Sequence, residues 1–149
     1  MINILTSPDF ISLIVALLLG SVLGLERTLS HKTAGIRTYG LVSMGACLFV
    51  ILARLMAPES DIGSPGQMYV LQGLIVGIGF VGGGTILHAR EHNHEHASGL
   101  TTAAGLWVAA GIGAASGYGF TSLAVMVTVM TLLVFRLFWL VESKLVKNQ

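Results

Sequence analysis

The sequence predicts an all-α membrane protein, a compact bundle of about five transmembrane helices with the N-terminus outside and the C-terminus in the cytoplasm. Three observations predict it. Of 149 residues, 54% are apolar and only 10% are charged, with a mean hydropathy of +0.82. A soluble domain carries about 25% charged residues, so this chain cannot cover a water-facing surface of ordinary polarity. The charges are also clustered, leaving five long runs nearly free of them, and Lys and Arg fall in alternate connections between those runs.

Each run has recognisable ends. Ser7-Pro8-Asp9 supplies a capping hydroxyl, a proline for the first turn and a carboxylate for the positive end of the helix dipole. The first run, Phe10 to Leu25, then closes on Glu26-Arg27. The second goes from Tyr39 to Met56, with Arg54 near its end, and the third from Met68 to Leu87. The fourth covers Leu100 to Ser116, and the fifth Phe120 to Val141 with Arg136 inside it. Crossing about 30 Å of hydrocarbon takes roughly 17–25 helical residues. The first and fourth runs are at the short end of that range, and five in succession argue against a soluble helical core. The leader Met1 to Asp9 has no Lys or Arg, which a secretory signal needs before its apolar core, so the first run reads as a retained helix.

Orientation follows from the basic residues. The first connection holds Arg27, Lys32 and Arg37, the third Arg90, and the tail Lys144 and Lys147, whereas the N-terminus and the second and fourth connections hold none. Arg54 is expected to snorkel outward and Arg136 inward, beside Trp139. With an odd number of spans, the N-terminus is outside. A net charge of +1 gives no reason for a nucleic-acid partner, and the lone Cys47 excludes an intrachain disulfide and any CxxC metal site.

Glycine spacing predicts how the helices pack. Ala16, Gly20 and Gly24 share one face of the first helix, and Gly105, Ala109, Gly113 and Gly117 share one face of the fourth. In lipid, close approach across small residues brings helices together. Gly77-Ile78-Gly79-Phe80-Val81-Gly82-Gly83-Gly84 puts five glycines in eight residues of the third run. Each costs about 1 kcal/mol against alanine in a helix, so the cluster should break, kink or closely pack the helix. Close packing and a cavity or ligand site both fit. A phosphate-binding loop does not, since no strand precedes the glycines and no Gly-Lys-Ser/Thr follows.

Several short pieces, in order, carry a resemblance. They are Gly24-Leu25-Glu26-Arg27, Ala34-Gly35-Ile36-Arg37-Thr38, Gly45-Ala46 with Phe49, Gln72-Gly73, and Gly77-Ile78-Gly79-Phe80. Gly82-Gly83-Gly84 and Gly99-Leu100-Thr101-Thr102-Ala103-Ala104 with Trp107 complete the set. Together they resemble the MgtC/SapB family of bacterial inner-membrane proteins over roughly residues 10 to 120. The resemblance implies a single transmembrane domain over residues 1–149, in the family's short form without a C-terminal soluble domain. It implies a multi-pass protein of the bacterial inner membrane, not an enzyme, associated with magnesium homeostasis, growth at low magnesium and, in pathogens, virulence and survival inside macrophages. Members were first taken for magnesium transporters; a regulatory role, including restraint of the F-type ATP synthase, was favoured later. One departure stands out. The family often has an Asp and an Arg ahead of its glycine-rich helix, and this chain has Asp61 with no Arg between Arg54 and Arg90.

The candidate ligand- or partner-binding residues are Glu26, Arg27, Arg37, Thr38, Gly77, Gly79, Gly82, Gly83, Thr101 and Thr102. Adjacent residues on a helix point about 100° apart, so if Arg27 reaches the headgroups, Glu26 turns toward the bundle and needs a counter-charge. Arg37, at the same membrane face, is the expected partner, with an ordinary boundary charge pair as the alternative. His88, His92 and His96 recur every four residues in His88-Ala89-Arg90-Glu91-His92-Asn93-His94-Glu95-His96 and could bind zinc or nickel if the segment were helical. A solvated linker explains the same residues. No cofactor is expected. The partners expected are the lipid bilayer, another membrane protein such as the F-type ATP synthase, and a second copy of the chain, with no nucleic acid.

Three function classes remain at this stage. The first is a membrane regulator and the second a small ion transporter of the magnesium type. A membrane enzyme comes last, because no nucleophile–base pair or metal-ligand set lies at membrane depth.

Overall fold

The computed structural model describes residues 7–56, 63–92 and 98–146, with side chains described for 7–56, 63–87 and 99–137. It is all-helical over those residues: α1 (Pro8–Leu29), α2 (Ile36–Met56), α3 (Pro65–His92), α4 (Ser98–Gly117) and α5 (Thr121–Val146). Helices α1 to α4 are long and apolar enough to cross a membrane, and α5 contributes an apolar stretch over Thr121–Leu137.

Local chemistry sets the ends. Ser7 Oγ accepts the Phe10 N–H at 3.3 Å, with Pro8 in the first turn and Asp9 beside it. The α1–α2 turn is tied by Thr28, whose hydroxyl donates to the Gly24 carbonyl at 3.0 Å and accepts the Ile36 N–H at 3.1 Å. Helix α4 stops at Gly119, whose φ of 82° suits glycine; Phe120 N–H bonds to the Ala115 carbonyl and Gly119 N–H to that of Ser116, a Schellman closure.

The small-residue faces organise the packing. Helix α2 lies between α1 and α4, and α4 touches every other helix. A Cβ on Gly20 would lie 2.6 Å from both Ser43 Cβ and the Tyr39 carbonyl oxygen, and one on Gly24 would lie 2.6 Å from Ile36 Cα. On the other side of α2, Gly113 packs against the Ser43 backbone and Gly117 against Cys47 and Val50. Both glycine faces expected from spacing are therefore contact faces. Ser43 is fully buried between them, and its hydroxyl has no hydrogen-bond partner among the described residues. Size, rather than polarity, accounts for that residue. Around this centre Tyr39, Leu23, Leu106, Ala109 and Ile112 form the core, while Leu18, Leu41, Phe49, Val76 and Phe80 face outward as a lipid-facing surface requires.

Helix α3 departs from expectation. It is one continuous helix, neither broken nor ended at Leu87, and its backbone runs through His88 to His92. It touches only α4 and α2 among the described residues, so it lies at the edge of the bundle. Of its glycines, Gly82 alone meets a neighbour, Ala103 Cβ at 3.4 Å, while Gly77, Gly79 and Gly83 have open space where a side chain would stand.

Candidate functional site

The end of the bundle where α1 finishes and α2 begins gathers the buried charge. Glu26 and Arg27 lie in the last turns of α1 and are 8% and 4% exposed. Arg27 Nε donates to Glu26 Oε2 at 2.5 Å, and Ser30 Oγ donates to Glu26 Oε1 at 2.8 Å, so both carboxylate oxygens are engaged. The Arg27 guanidinium lies over the Phe135 ring of α5, 3.7 Å from its centroid, a cation–π contact that closes the apolar side of the pair. Beneath it, Tyr39 of α2 donates its hydroxyl to the Thr102 carbonyl of α4 at 3.2 Å. Gly105 makes room for both the Tyr39 hydroxyl and the Phe135 ring. Four helices thus converge on one charge pair.

The pairing differs from the sequence expectation. Glu26 is bound by Arg27 of its own helix and by Ser30, which caps that helix, and not by Arg37. Arg37 and Thr38 are exposed in the first turn of α2. Long side chains one position apart can fold back on each other, which backbone direction alone does not reveal. Arg27 accordingly does not reach outward to the headgroups. Thr102 is fully buried and Thr101 is exposed, so the Thr101-Thr102 pair straddles the helix surface. Among the candidate glycines, Gly82 contacts α4, Gly77 lines an outward groove against α2, and Gly79 and Gly83 have open space where a Cβ would stand. The side chains of His88 and His92 and the whole of His96 lie outside the described residues.

Sequence reasoning missed the opposite end. Arg54 Nη1 donates to the Gly117 carbonyl at 2.8 Å and to Asp9 Oδ1 at 3.2 Å, tying the start of α1 to the ends of α2 and α4. The guanidinium satisfies one of the orphan carbonyls at the end of α4. A basic residue in the last turn of α2 was the visible signal; the Gly117 carbonyl could not be identified without the fold. Phe135 was missed too, because an aromatic in an apolar run carries no mark of the cation it covers.

Comparison with known proteins places the chain in a family. A family model described as the MgtC family matches residues 13–144. The chain is similar to an uncharacterized protein of Haemophilus influenzae, 39% identical over 150 residues, covering 95% of this chain and 62% of that protein. It is 36% identical over 96 residues to the protein SrpB of Synechococcus elongatus, covering 61% of this chain and 53% of the relative. To the protein MgtC of Salmonella typhimurium it is 36% identical over 85 residues, covering 57% of this chain and 34% of the relative. The chain therefore spans less than two thirds of the length of these relatives. No solved structure matches.

Proposed function

This chain belongs to the MgtC family, and from that premise we propose that it is a non-enzymatic protein of the bacterial inner membrane that regulates a membrane partner in magnesium homeostasis. The observation that carries this reading is the density of the α1–α2–α4 centre. The helices meet there across Gly20, Gly24, Gly113 and Gly117 with no space for even one added methyl group. A magnesium ion holds its octahedral shell of oxygens tightly and loses water reluctantly, so a conduit through this centre would have to separate helices in backbone contact. The Glu26–Arg27 pair is internally neutralised, which suits a fixed recognition or anchoring feature better than a carboxylate waiting for a cation. The F-type ATP synthase, which the family resemblance suggests, is the partner to test first.

Reconstituted into proteoliposomes containing a magnesium-sensitive dye, the protein is expected to give magnesium entry no faster than empty vesicles. Saturable entry that Glu26→Gln abolishes would overturn the regulatory reading in favour of transport. The same reading places the Glu26 end in the cytoplasm, with the N-terminus outside. Single cysteines at Asn3 and Gln149, in a Cys47→Ala background, are expected to react oppositely with an impermeant thiol reagent in intact cells, Asn3 labelled and Gln149 protected. The reverse pattern would invert the topology.

A further inference from the structure

We propose that the groove between α2 and α3 holds one acyl chain of an anionic phospholipid, whose phosphate lies against Arg37 and Thr38. The groove has a volume of about 510 Å³ and a wall of apolar side chains and glycines, running from Leu41 to Phe49 on α2 and from Val81 back to Val70 on α3. Its lining spans roughly 12–16 Å along the helices at 1.5 Å per residue, a shape for extended hydrocarbon rather than a polar solute. Gly45, Gly73 and Gly77 form part of the wall, and none has a heavy atom within 4 Å of where its Cβ would stand. These glycines bring no helix closer, so what they supply is room.

The mouth of the groove identifies the headgroup. Arg37 and Thr38 lie one helical turn before the lining residues Leu41 and Val42, and so above them on the same two faces of α2. Both are exposed, and Arg37 makes no ion pair or side-chain hydrogen bond among the described residues. Among the described side chains the only carboxylates are Asp9, at the opposite end and bound to Arg54, and Glu26, buried and already paired. A second copy of this chain therefore offers no described counter-charge for Arg37 on a membrane-facing surface. A phosphodiester does, and the guanidinium fork with a hydroxyl beside it matches its oxygens. Helix α3 is in this view the outer wall of a lipid site, which explains why the glycines facing the groove, Gly73 and Gly77, have open space beside them. The proposal rests on the membrane fold and is independent of whether the protein regulates or transports.

Native mass spectrometry of the full chain, exchanged into detergent with phosphatidylglycerol or chain-matched phosphatidylcholine, tests it. The wild type is expected to retain one phosphatidylglycerol per chain, in preference to phosphatidylcholine by about fivefold, as one arginine near an anionic surface provides. Arg37→Gln, at an exposed position, should leave the fold intact and equalise the two lipids. Gly77→Leu, whose side chain enters open space, should displace both lipids without lowering the melting temperature. Equal retention of the two lipids by the wild type would overturn the proposal. So would a dimer that Gly77→Leu converts to monomer with lipid retention unchanged, which would assign the groove to a second copy.

Discussion

Gly113→Ala is expected to eliminate most of the folded protein, while Gly79→Ala is neutral or slightly stabilising. At Gly113 the new methyl group would overlap the backbone carbonyl of Ser43, with the Ser43 Cα also within 2.9 Å. A side chain can rotate away from such a contact; a backbone carbonyl already in a helix cannot without carrying α2 with it. Overpacking in a close-packed core costs about 1–3 kcal/mol even where neighbours yield, and here the rigid neighbour puts the cost above that range. Because α2 also rests on α1 across Gly20 and Gly24, displacement at one face opens the other. At Gly79 nothing lies within 4 Å of the added carbon, and alanine gains up to about 1 kcal/mol of helix propensity. Size-exclusion profiles in detergent compare the two directly. Equal monodisperse yields for Gly113→Ala and Gly79→Ala would mean that α2 and α4 do not meet at Ser43.

That contrast also shows what could be read from the chain. The helix number and the two contact faces were legible because spacing of four residues maps directly onto one side of a helix, and Gly20, Gly24, Gly113 and Gly117 obey it. The Gly77–Gly84 cluster packs at Gly82 and lines a groove at Gly77 but does not break the helix, because the comparison with alanine is not the one that decides it. In hydrocarbon the alternative to a helix is unpaired backbone N–H and C=O groups, each costing several kcal/mol. About 1 kcal/mol per glycine does not outweigh that, so α3 stays continuous. Its extension to His92 follows as well: at 28 residues the helix is roughly 42 Å long, longer than the hydrocarbon it crosses. Arg54 is exposed at its helix end, as a snorkelling residue is, but its acceptor could not be foreseen, because the Gly117 carbonyl is a backbone group 63 residues away. The cap is created by packing, and no residue type announces it.

Arg27→Gln is expected to lower stability far more than Arg37→Gln, although both remove one positive charge from the same end of the bundle. Arg27 is 4% exposed and bonded to a carboxylate that is itself 8% exposed. Its removal leaves Glu26 with the Ser30 hydroxyl and the longer-range charge of Arg136, and losing the bonded partner of a buried pair costs about 3–5 kcal/mol. The Phe135 ring also loses its cation, a further contribution of about 0.5–2 kcal/mol. Arg37 is exposed and makes no such contacts among the described residues, so its loss changes stability by about 0.5 kcal/mol or less. Glu26→Gln should be harmful for the converse reason, leaving the guanidinium buried over an aromatic ring without its carboxylate. The pair removed together behaves differently. Glu26→Gln with Arg27→Met keeps an acceptor for Ser30 and places a thioether against Phe135, a favourable contact. Because exchanging a buried ion pair for well-packed neutral groups is often without cost, the double variant should recover most of the melting temperature lost by either single variant. Thermal denaturation in detergent reads the fold, and growth of the complemented strain at limiting magnesium reads the function. Recovery of the fold without growth assigns the charges to a partner protein; recovery of both makes the pair a fastening for α1 and α5 alone. If Arg37→Gln proves as damaging as Arg27→Gln, and the swap Glu26→Arg with Arg37→Glu repairs it, then Glu26 pairs across the turn with α2, and the site described above is wrong.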